Sequence, residues 1–158
     1  MLAVLSILGM IVLDQAVKLW AVRVLASIGD IPLINGIFHL TYVENRGSAF
    51  GLFLNQRVLF MVLTPIVLAA VSIALWRGII QTKTGKWSMY LLFGGAVGNF
   101  IDRIIRGYVV DLFYFKLINF PVFNIADIFI CTGAALFFIY FQFQHKPVEQ
   151  KKEVETDG

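Results

Sequence analysis

Four long apolar stretches alternate with polar segments along this chain of 158 residues. The first runs from Met1 to Ala26, the second from Val58 to Trp76, the third from Trp87 to about Ile105, and the fourth from Val122 to Phe143. At about 1.5 Å per residue, a helix of this length crosses a hydrocarbon core of about 30 Å. The pattern therefore predicts four transmembrane helices, with both chain termini on the same side of the membrane.

The first stretch contains charged positions, which argue against a cleaved secretory signal peptide. It lacks a basic N-terminal region, and Asp14 and Lys18 interrupt its apolar part. These two residues are four positions apart, so they share one face of a helix and neutralise each other inside a bundle. Two interpretations stay open: the pair only fixes helix packing, or it takes part in a functional site.

The segments between the spans predict extended structure on one side of the membrane. Asn35-Gly36 lies between strand-forming flanks and predicts a β-hairpin, because both central turn positions favour positive φ. Residues 44–55 predict a loop that runs into a short amphipathic helix at the membrane surface. The β-branched and aromatic residues of 107–120 predict a further strand. By contrast, segment 77–86 contains three basic residues and no acid, which is typical of a cytoplasmic loop.

Composition supports an integral membrane protein. Hydrophobic residues make up 59% of the chain and the mean hydropathy is +0.81, both above the values of soluble globular domains. The net charge of +3 is small and its basic residues lie in loops and the tail, which argues against nucleic-acid binding. The single cysteine, Cys131, excludes a disulfide framework, and its apolar surroundings predict a small core residue. Residues 146–158 predict a disordered cytoplasmic tail.

Acidic residues inside these apolar stretches indicate a functional site, because a carboxylate at the centre of a membrane helix costs about 3 kcal/mol or more. Asp14 belongs to the outer half of the first span. Asp102 lies near the outer end of the third span, and Asp127 near that of the fourth. Asp111 lies in the strand-like segment between the last two spans. All four are therefore expected at one face of the membrane.

Asp111 and Asp127 are suited to acid–base chemistry. Two carboxylates in one pocket of low dielectric share a proton, so that one activates a water while the other donates to a carbonyl. Such a pair needs neither a metal nor a cofactor. We expect Asn99 and Asn124 to orient the pair or to bind a peptide backbone.

Asp102 admits several interpretations. Arg103, directly beside it, either pairs with it or holds an anionic group. Together with Asp111 and Asp127, Asp102 offers oxygen ligands for a divalent metal, although no metal-loop spacing supports such a site. Serine or cysteine chemistry fits poorly, because the chain has only two histidines. The residues alone do not separate acid chemistry from proton or ion transport.

Four motifs stand in order along the chain: LDQAVK (13–18), ENRGSAFG (44–51), GGAVGNFIDRIIRGYVVD (94–111) and FNIAD (123–127). In these motifs the chain resembles the lipoprotein signal peptidases, or signal peptidase II, of bacterial inner membranes. FNIAD with a preceding VVD is specific to that family, whereas LDQ alone is a weak signal.

The resemblance implies an all-α membrane protein of four transmembrane helices with a small extracytoplasmic β-sheet and a short interfacial helix. Residues 1–145 would form the peptidase domain, in which 31–57 and 106–121 are the extracytoplasmic elements. The protein would be a monomer in the bacterial cell membrane, with both termini in the cytoplasm and the active site at the outer face. Its partners would be membrane lipids and lipidated substrates.

The resemblance further implies an aspartic endopeptidase that removes the signal peptide from diacylglyceryl-modified prolipoproteins and cleaves before the lipidated cysteine. Asp111 and Asp127 would be the catalytic pair, without a metal or cofactor. Other residues would shape the pocket or contact substrate: Asp14, Lys18, Asn45, Gly47, Asn99, Asp102, Arg103, Asn124 and Ala126.

The alternative is a small membrane transporter or proton-pathway subunit in which Asp14, Asp102 and Asp127 form a relay. Transporters of this size often contain an internal repeat. Here the first two spans and the last two share no motif, which weakens that hypothesis.

Overall fold

The computed structural model describes residues 2–47 and 57–143, most of which are helical. The helices in chain order are α1 (Leu2–Ile28), α2 (Arg57–Trp76), α3 (Lys83–Ile105) and α4 (Ile125–Phe143). By length and composition, α1, α4 and all but the first residue of α2 are able to cross a membrane. The chain is therefore a multi-pass membrane protein.

The helix α3 has the length of a span, 23 residues, but it is less apolar than the other three. It lies at the centre of the bundle, where it contacts α1, α2 and α4. Its polar residues Ser88, Asn99 and Asp102 are buried there. The predicted count of four spans depends on α3 and stays a prediction.

Glycines on α3 allow the neighbouring helices to approach closely. A Cβ atom at Gly95 would lie 2.4 Å from the carbonyl oxygen of Ala126 on α4, and one at Gly98 would lie 2.5 Å from Oδ2 of Asp14 on α1. Real Cβ atoms do not make contacts this short. These glycines therefore allow α1 and α4 to pack closely against α3.

Three antiparallel strands form one sheet in the order β1 (Asp30–Ile34), β2 (Phe38–Asn45) and β3 (Val109–Phe115). The register pairs Val43 with Asp111 and Asn45 with Val109. An apolar cluster of Ala21, Leu25, Val110 and Leu112 fastens the sheet to the last turns of α1. The sheet and the two strand-forming segments agree with the predictions.

The turn between β1 and β2 differs from the prediction in its backbone. The amide of Ile37 donates to the carbonyl of Ile34 at 3.0 Å, and Gly36 adopts a φ of 73°. Asn35 does not have positive φ, since Asn119 is the only non-glycine residue with that conformation among those described. Only the second central position therefore requires the left-handed region, as in a type II turn.

The connector after β3 returns the chain to the sheet before α4 begins. A short 3-10 turn spans Lys116–Ile118, and the backbone of Phe123 then bonds to that of Phe113 in both directions, at 2.8 and 3.0 Å. Because these bonds hold Phe123 against β3, the first turn of α4 starts beside the strand that contains Asp111.

Several predicted boundaries need correction. The helix α3 begins at Lys83, inside the predicted cytoplasmic loop, because Thr82 caps it by accepting a hydrogen bond from the amide of Gly85. The helix α4 begins at Ile125, three residues later than predicted. Cys131 is exposed and is not a core residue. The predicted interfacial helix within 44–55 falls largely outside the described residues, as does the tail.

Candidate active site

Asp111 and Asp127 line one cavity of about 270 Å³ at the end of the bundle that meets the sheet. Asp111 lies on β3 and is 1% exposed, whereas Asp127 lies in the first turn of α4 and is half-buried. The other lining residues are Asn45, Asn99, Arg103, Val109, Phe120, Pro121, Val122, Phe123, Ile130 and Cys131. The two acids, sixteen positions apart in the chain, thus face the same space.

Neutral amides hold the carboxylate of Asp111. The Nδ2 of Asn124 donates to Oδ1 at 2.6 Å, and the Nδ2 of Asn45 donates to Oδ2 at 2.8 Å. Burial, and then the negative charge of Asp127, raise the pKa of Asp111 from 3.8 to about 7, despite the two amide donors. Asp111 is therefore poised to hold a proton near neutral pH.

Asp127 is held by one side-chain donor and one backbone donor. The Nδ2 of Asn99 donates to its Oδ1 at 2.8 Å, and the backbone amide of Asn124 donates to its Oδ2 at 3.1 Å. In return, the amide of Asp127 donates to Oδ1 of Asn124 at 2.9 Å. This reciprocal arrangement is that of a capping box, so the start of α4 fixes both residues.

The side chain of Asn124 links the two acids, because its oxygen and its NH2 group both form hydrogen bonds. Its oxygen accepts from the amide of Asp127, while its Nδ2 donates to Asp111 and, at 3.1 Å, to Oδ1 of Asn99. Asn45 is oriented in a similar way, since its oxygen accepts from the amide of Gly47 at 3.0 Å. Both asparagine amides are thereby turned with their NH2 groups towards Asp111.

A second group of acids lies behind the cavity and is held by cations. Lys18 lies 3.0 Å from Asp14 and 3.1 Å from Asp102, and Arg106 also pairs with Asp102. All but Arg106 are fully buried or nearly so. Two carboxylates thus meet two cations, which makes burial of the group tolerable. The predicted pairing of Asp14 with Lys18 is confirmed.

This charged cluster also binds the backbone around the cavity. Oδ1 of Asp14 accepts from the amide of Ala126 at 2.9 Å, and Oδ2 of Asp102 accepts from the amide of Val110 at 3.0 Å. The residues bound in this way immediately precede Asp127 and Asp111. The predicted site residue Ala126 therefore contributes its backbone, and the cluster positions both elements that contain the central acids.

Of the two interpretations of Arg103, the one that pairs it with Asp102 is wrong. Asp102 is satisfied by Lys18, Arg106 and a backbone amide. The Arg103 guanidinium instead donates to the carbonyls of Asn99, at 3.3 Å, and Gly47, at 3.4 Å, and lies 4.6 Å from the centre of the Phe60 ring. It thus lies at the cavity wall between α2, α3 and the end of β2.

With Asp102 committed to two cations, the metal hypothesis on Asp102, Asp111 and Asp127 loses its third ligand. Among the described residues, no group of three or more His, Cys, Asp or Glu side chains is placed to hold a metal ion. The arrangement instead offers two acids in unlike surroundings, with amide donors and one guanidinium around them.

Sequence reasoning missed two polar residues of the cluster. Arg106 lies one turn after Asp102, a spacing that would have revealed it had the helix been predicted one residue longer. Gln15 donates to the carbonyl of Gly98 at 3.0 Å and to Asp14 at 3.1 Å. The apolar wall formed by Phe120 to Phe123 had no signal in the sequence, because its role comes from the fold of the connector.

These features define a class: a multi-pass membrane protein with two acids in a partly apolar cavity where its helices meet a small sheet. A family model described as signal peptidase (SPase) II matches residues 6–143. The chain belongs to the signal peptidase II family and is a peptidase of the aspartic type. This membership decides against the transporter alternative.

Known relatives agree with this assignment. The lipoprotein signal peptidase of Clostridioides difficile (strain 630) is 42% identical over 147 residues, which cover 90% of this chain and 96% of the relative. That of Lactococcus lactis subsp. lactis (strain IL1403) is 42% identical over 143 residues, with 88% and 92% covered. A solved bacterial membrane enzyme structure at 2.3 Å superposes with a TM-score of 0.80, 29% identity, and coverage of 96% of this chain and 92% of that one.

Proposed function

We propose that this protein removes the signal peptide from diacylglyceryl-modified prolipoproteins and cleaves before the lipidated cysteine. The relatives named lipoprotein signal peptidase support this substrate. The observation that carries the proposal is the placement of Asp111 and Asp127 in one cavity, each with its own set of hydrogen-bond donors.

In the proposed mechanism, Asp111 begins protonated and Asp127 begins ionised. Asp127 takes a proton from a water, whose oxygen attacks the carbonyl carbon of the scissile peptide bond. Asp111 gives its proton to the carbonyl oxygen as negative charge develops there. The proton on Asp127 then passes to the leaving nitrogen as the carbon–nitrogen bond breaks. Asp111 regains its proton as the carbonyl re-forms, so the pair returns to its starting state.

The raised pKa of Asp111 supports this assignment of roles. A carboxyl group with a pKa of about 7 is protonated in a large fraction of molecules at neutral pH and also releases its proton readily. Asp127 accepts two N–H donors that hold its carboxylate in place, and its half-buried side chain can be reached by water from the cavity.

We further propose that four helices span the membrane with the cavity at the outer face and both termini in the cytoplasm. The end of α3, the start of α4 and the sheet lie together at one end of the bundle. The opposite end contains the exposed basic residues Lys83 and Lys86. That distribution agrees with the tendency of cytoplasmic loops to be basic.

Substrate positioning would follow from this orientation. The signal helix would lie among the spans, while the acyl chains of the lipidated cysteine stay in the outer leaflet. The scissile bond would then enter the cavity, whose Phe120 to Phe123 wall is apolar and whose Asn45 and Arg103 offer donors to a peptide backbone. Because remote lipid contacts would hold the bond in place, precursor without the lipid should be cut poorly.

The proposal is tested by reconstituting the protein in lipid vesicles with a lipidated precursor. We expect cleavage before the lipidated cysteine with a chelator present, and none in Asp111→Asn or Asp127→Asn. Asp30→Asn is the matched control, because Asp30 is an exposed carboxylate on β1 that bonds to His39 and Thr41, away from the cavity. Cleavage by either cavity variant at the rate of the parent protein would refute the two-aspartate mechanism.

A further inference from the structure

Lys18 is a fully buried lysine whose ammonium group contacts an oxygen atom on each of three side chains. Two of these contacts are ion pairs, with the carboxylates of Asp14, at 3.0 Å, and Asp102, at 3.1 Å. The third goes to a neutral acceptor, Oδ1 of Asn99, at 2.8 Å. The two carboxylates make burial of the positive charge tolerable, whereas the third contact connects Lys18 to a residue that lines the cavity.

The bond from Lys18 fixes which way the Asn99 amide points. Oδ1 of Asn99 accepts from Lys18 and from Nδ2 of Asn124, and its own Nδ2 donates to Asp127 at 2.8 Å. If the amide turned over, its NH2 group would face the ammonium of Lys18 and the NH2 of Asn124, and its oxygen would face the Asp127 carboxylate. Every one of these contacts would be repulsive, and buried groups would lose their partners.

We infer that Lys18 is a positioning residue for the peptidase reaction, acting on Asp127 through the amide of Asn99. The cation holds the oxygen of Asn99, and the NH2 group on the other side of the amide is thereby kept on the carboxylate that activates water. This role rests on the proposed function, in which Asp127 is the base. Lys18 therefore has two roles: it orients Asn99 for catalysis, and it forms ion pairs with Asp14 and Asp102.

Removing Lys18 alone would leave two buried carboxylates with too little positive charge, so the test uses a charge-neutral pair of substitutions. Lys18→Met with Asp14→Asn replaces one cation and one anion with neutral side chains of similar size to the originals. It retains the pairing of Asp102 with Arg106. Asp14→Asn alone is the matched control, since it keeps the bond from Lys18 to Asn99. Lys18→Met with Asp102→Asn is a second neutral pair for the same test.

We expect the neutral double variants to lose about 10²-fold in kcat relative to the single carboxylate variants, which is the scale of a misplaced catalytic group. KM for the lipidated precursor should not change, because Lys18 is fully buried and does not line the cavity. Equal kcat values in double and single variants would overturn the inference. Failure of both double variants to fold would assign Lys18 a structural role and would also overturn it.

A second arm asks whether the effect passes through Asn99. In an Asn99→Ala background, the same neutral pair of substitutions should cause no further loss of kcat, because the amide that Lys18 orients is already gone. If the neutral pair lowered kcat by the same factor with and without Asn99→Ala, the inference would be contradicted. Cleavage by the parent protein is measured in parallel, so that failure of the proposed function is recognised separately.

Discussion

Two groups of buried acids lie side by side in this molecule and differ in what holds them. Asp111 and Asp127 are held by asparagine amides and a backbone amide, whereas Asp14 and Asp102 are held mainly by Lys18 and Arg106. Protonating an acid of the second group would leave a buried cation without its partner, which is costly. Protonating an acid of the first group leaves only neutral donors to rearrange. The amide-held pair is therefore suited to proton transfer and the cation-held pair to structure.

The cation-held pair also serves the amide-held pair. Asp14 and Asp102 each bind a backbone amide next to the cavity, and Lys18 holds Asn99. The rigid group thus positions the group that must exchange protons. Substitutions in the two groups should accordingly fail in different ways, in chemistry for one and in stability for the other.

The largest expected effect is on chemistry, from Asp111→Asn and Asp127→Asn. Each removes a group that transfers a proton in the transition state, and we expect kcat for lipidated precursor to fall by about 10⁴-fold. The measurement is single-turnover cleavage in vesicles, with Asp30→Asn as control. If Asp111→Asn or Asp127→Asn lowered the stability and left kcat unchanged, the substituted acid would have a structural role and not a chemical one.

Asp111→Asn should also raise stability, and by more in alkaline than in acidic solution. The pKa of this acid is about 7 when folded and 3.8 ordinarily, so folding disfavours its ionised form. The cost is absent below pH 3.8, grows as the pH rises towards 7, and is then constant. Thermal unfolding at about pH 5 and pH 8 checks this, and an equal rise in Tm at both values would contradict it.

The next effect is on stability, from Asp102→Asn. It leaves Lys18 and Arg106 with one carboxylate between them, and breaking a buried ion pair typically costs about 3–5 kcal/mol. We expect a lower Tm in detergent and, in the fraction that remains folded, a smaller loss of kcat than in Asp111→Asn. A variant as stable as the parent protein would show that the cation-held group does not support the fold.

A smaller effect is expected from Asn45→Ala, which removes one donor from the ionised form of Asp111. Since that hydrogen bond lowers the pKa of Asp111, its loss should raise it, by less than about one unit for a bond worth about 1 kcal/mol. The proposed acid is active while protonated, so the alkaline limb of kcat against pH should move upwards. A shift to lower pH would contradict the role of Asp111 as the acid.

The smallest effect is expected from Glu44→Gln, which breaks an exposed ion pair. Glu44 and Arg46 form an ion pair at 3.0 Å with both side chains exposed. Exposed pairs contribute little to stability, so neither Tm nor kcat should change measurably. A marked loss of activity would show that this pair acts on the neighbouring Asn45.

Much of this architecture could be predicted from the sequence because long apolar runs, an Asn-Gly turn and acids in apolar surroundings are local signals. The pairing of Asp14 with Lys18 followed from helix spacing alone. The partners of Asp102 did not, because Arg106 lies just beyond the predicted end of α3, and pairing with the adjacent Arg103 was one of two open interpretations. In the structure these two arginines have different partners.

Two further features could not be predicted for a physical reason. Hydropathy does not separate the lipid-facing side of a membrane helix from its packed side, since lipid tails are as apolar as a protein core. Cys131 was therefore assigned to the core, although it is exposed and lines the cavity. The orientation of Asn99 and Asn124 depends on contacts between four separate elements and leaves no mark on local sequence.

The most direct test of the amide-held pair is infrared difference spectroscopy of the reconstituted protein, which follows the carbonyl stretch of protonated carboxylic acids as the pH is raised. We expect a band that disappears with a midpoint near pH 7, that is absent in Asp111→Asn, and that is retained in Asp30→Asn. A titrating band that persists unchanged in Asp111→Asn, or the absence of any such band near neutral pH, would contradict the account.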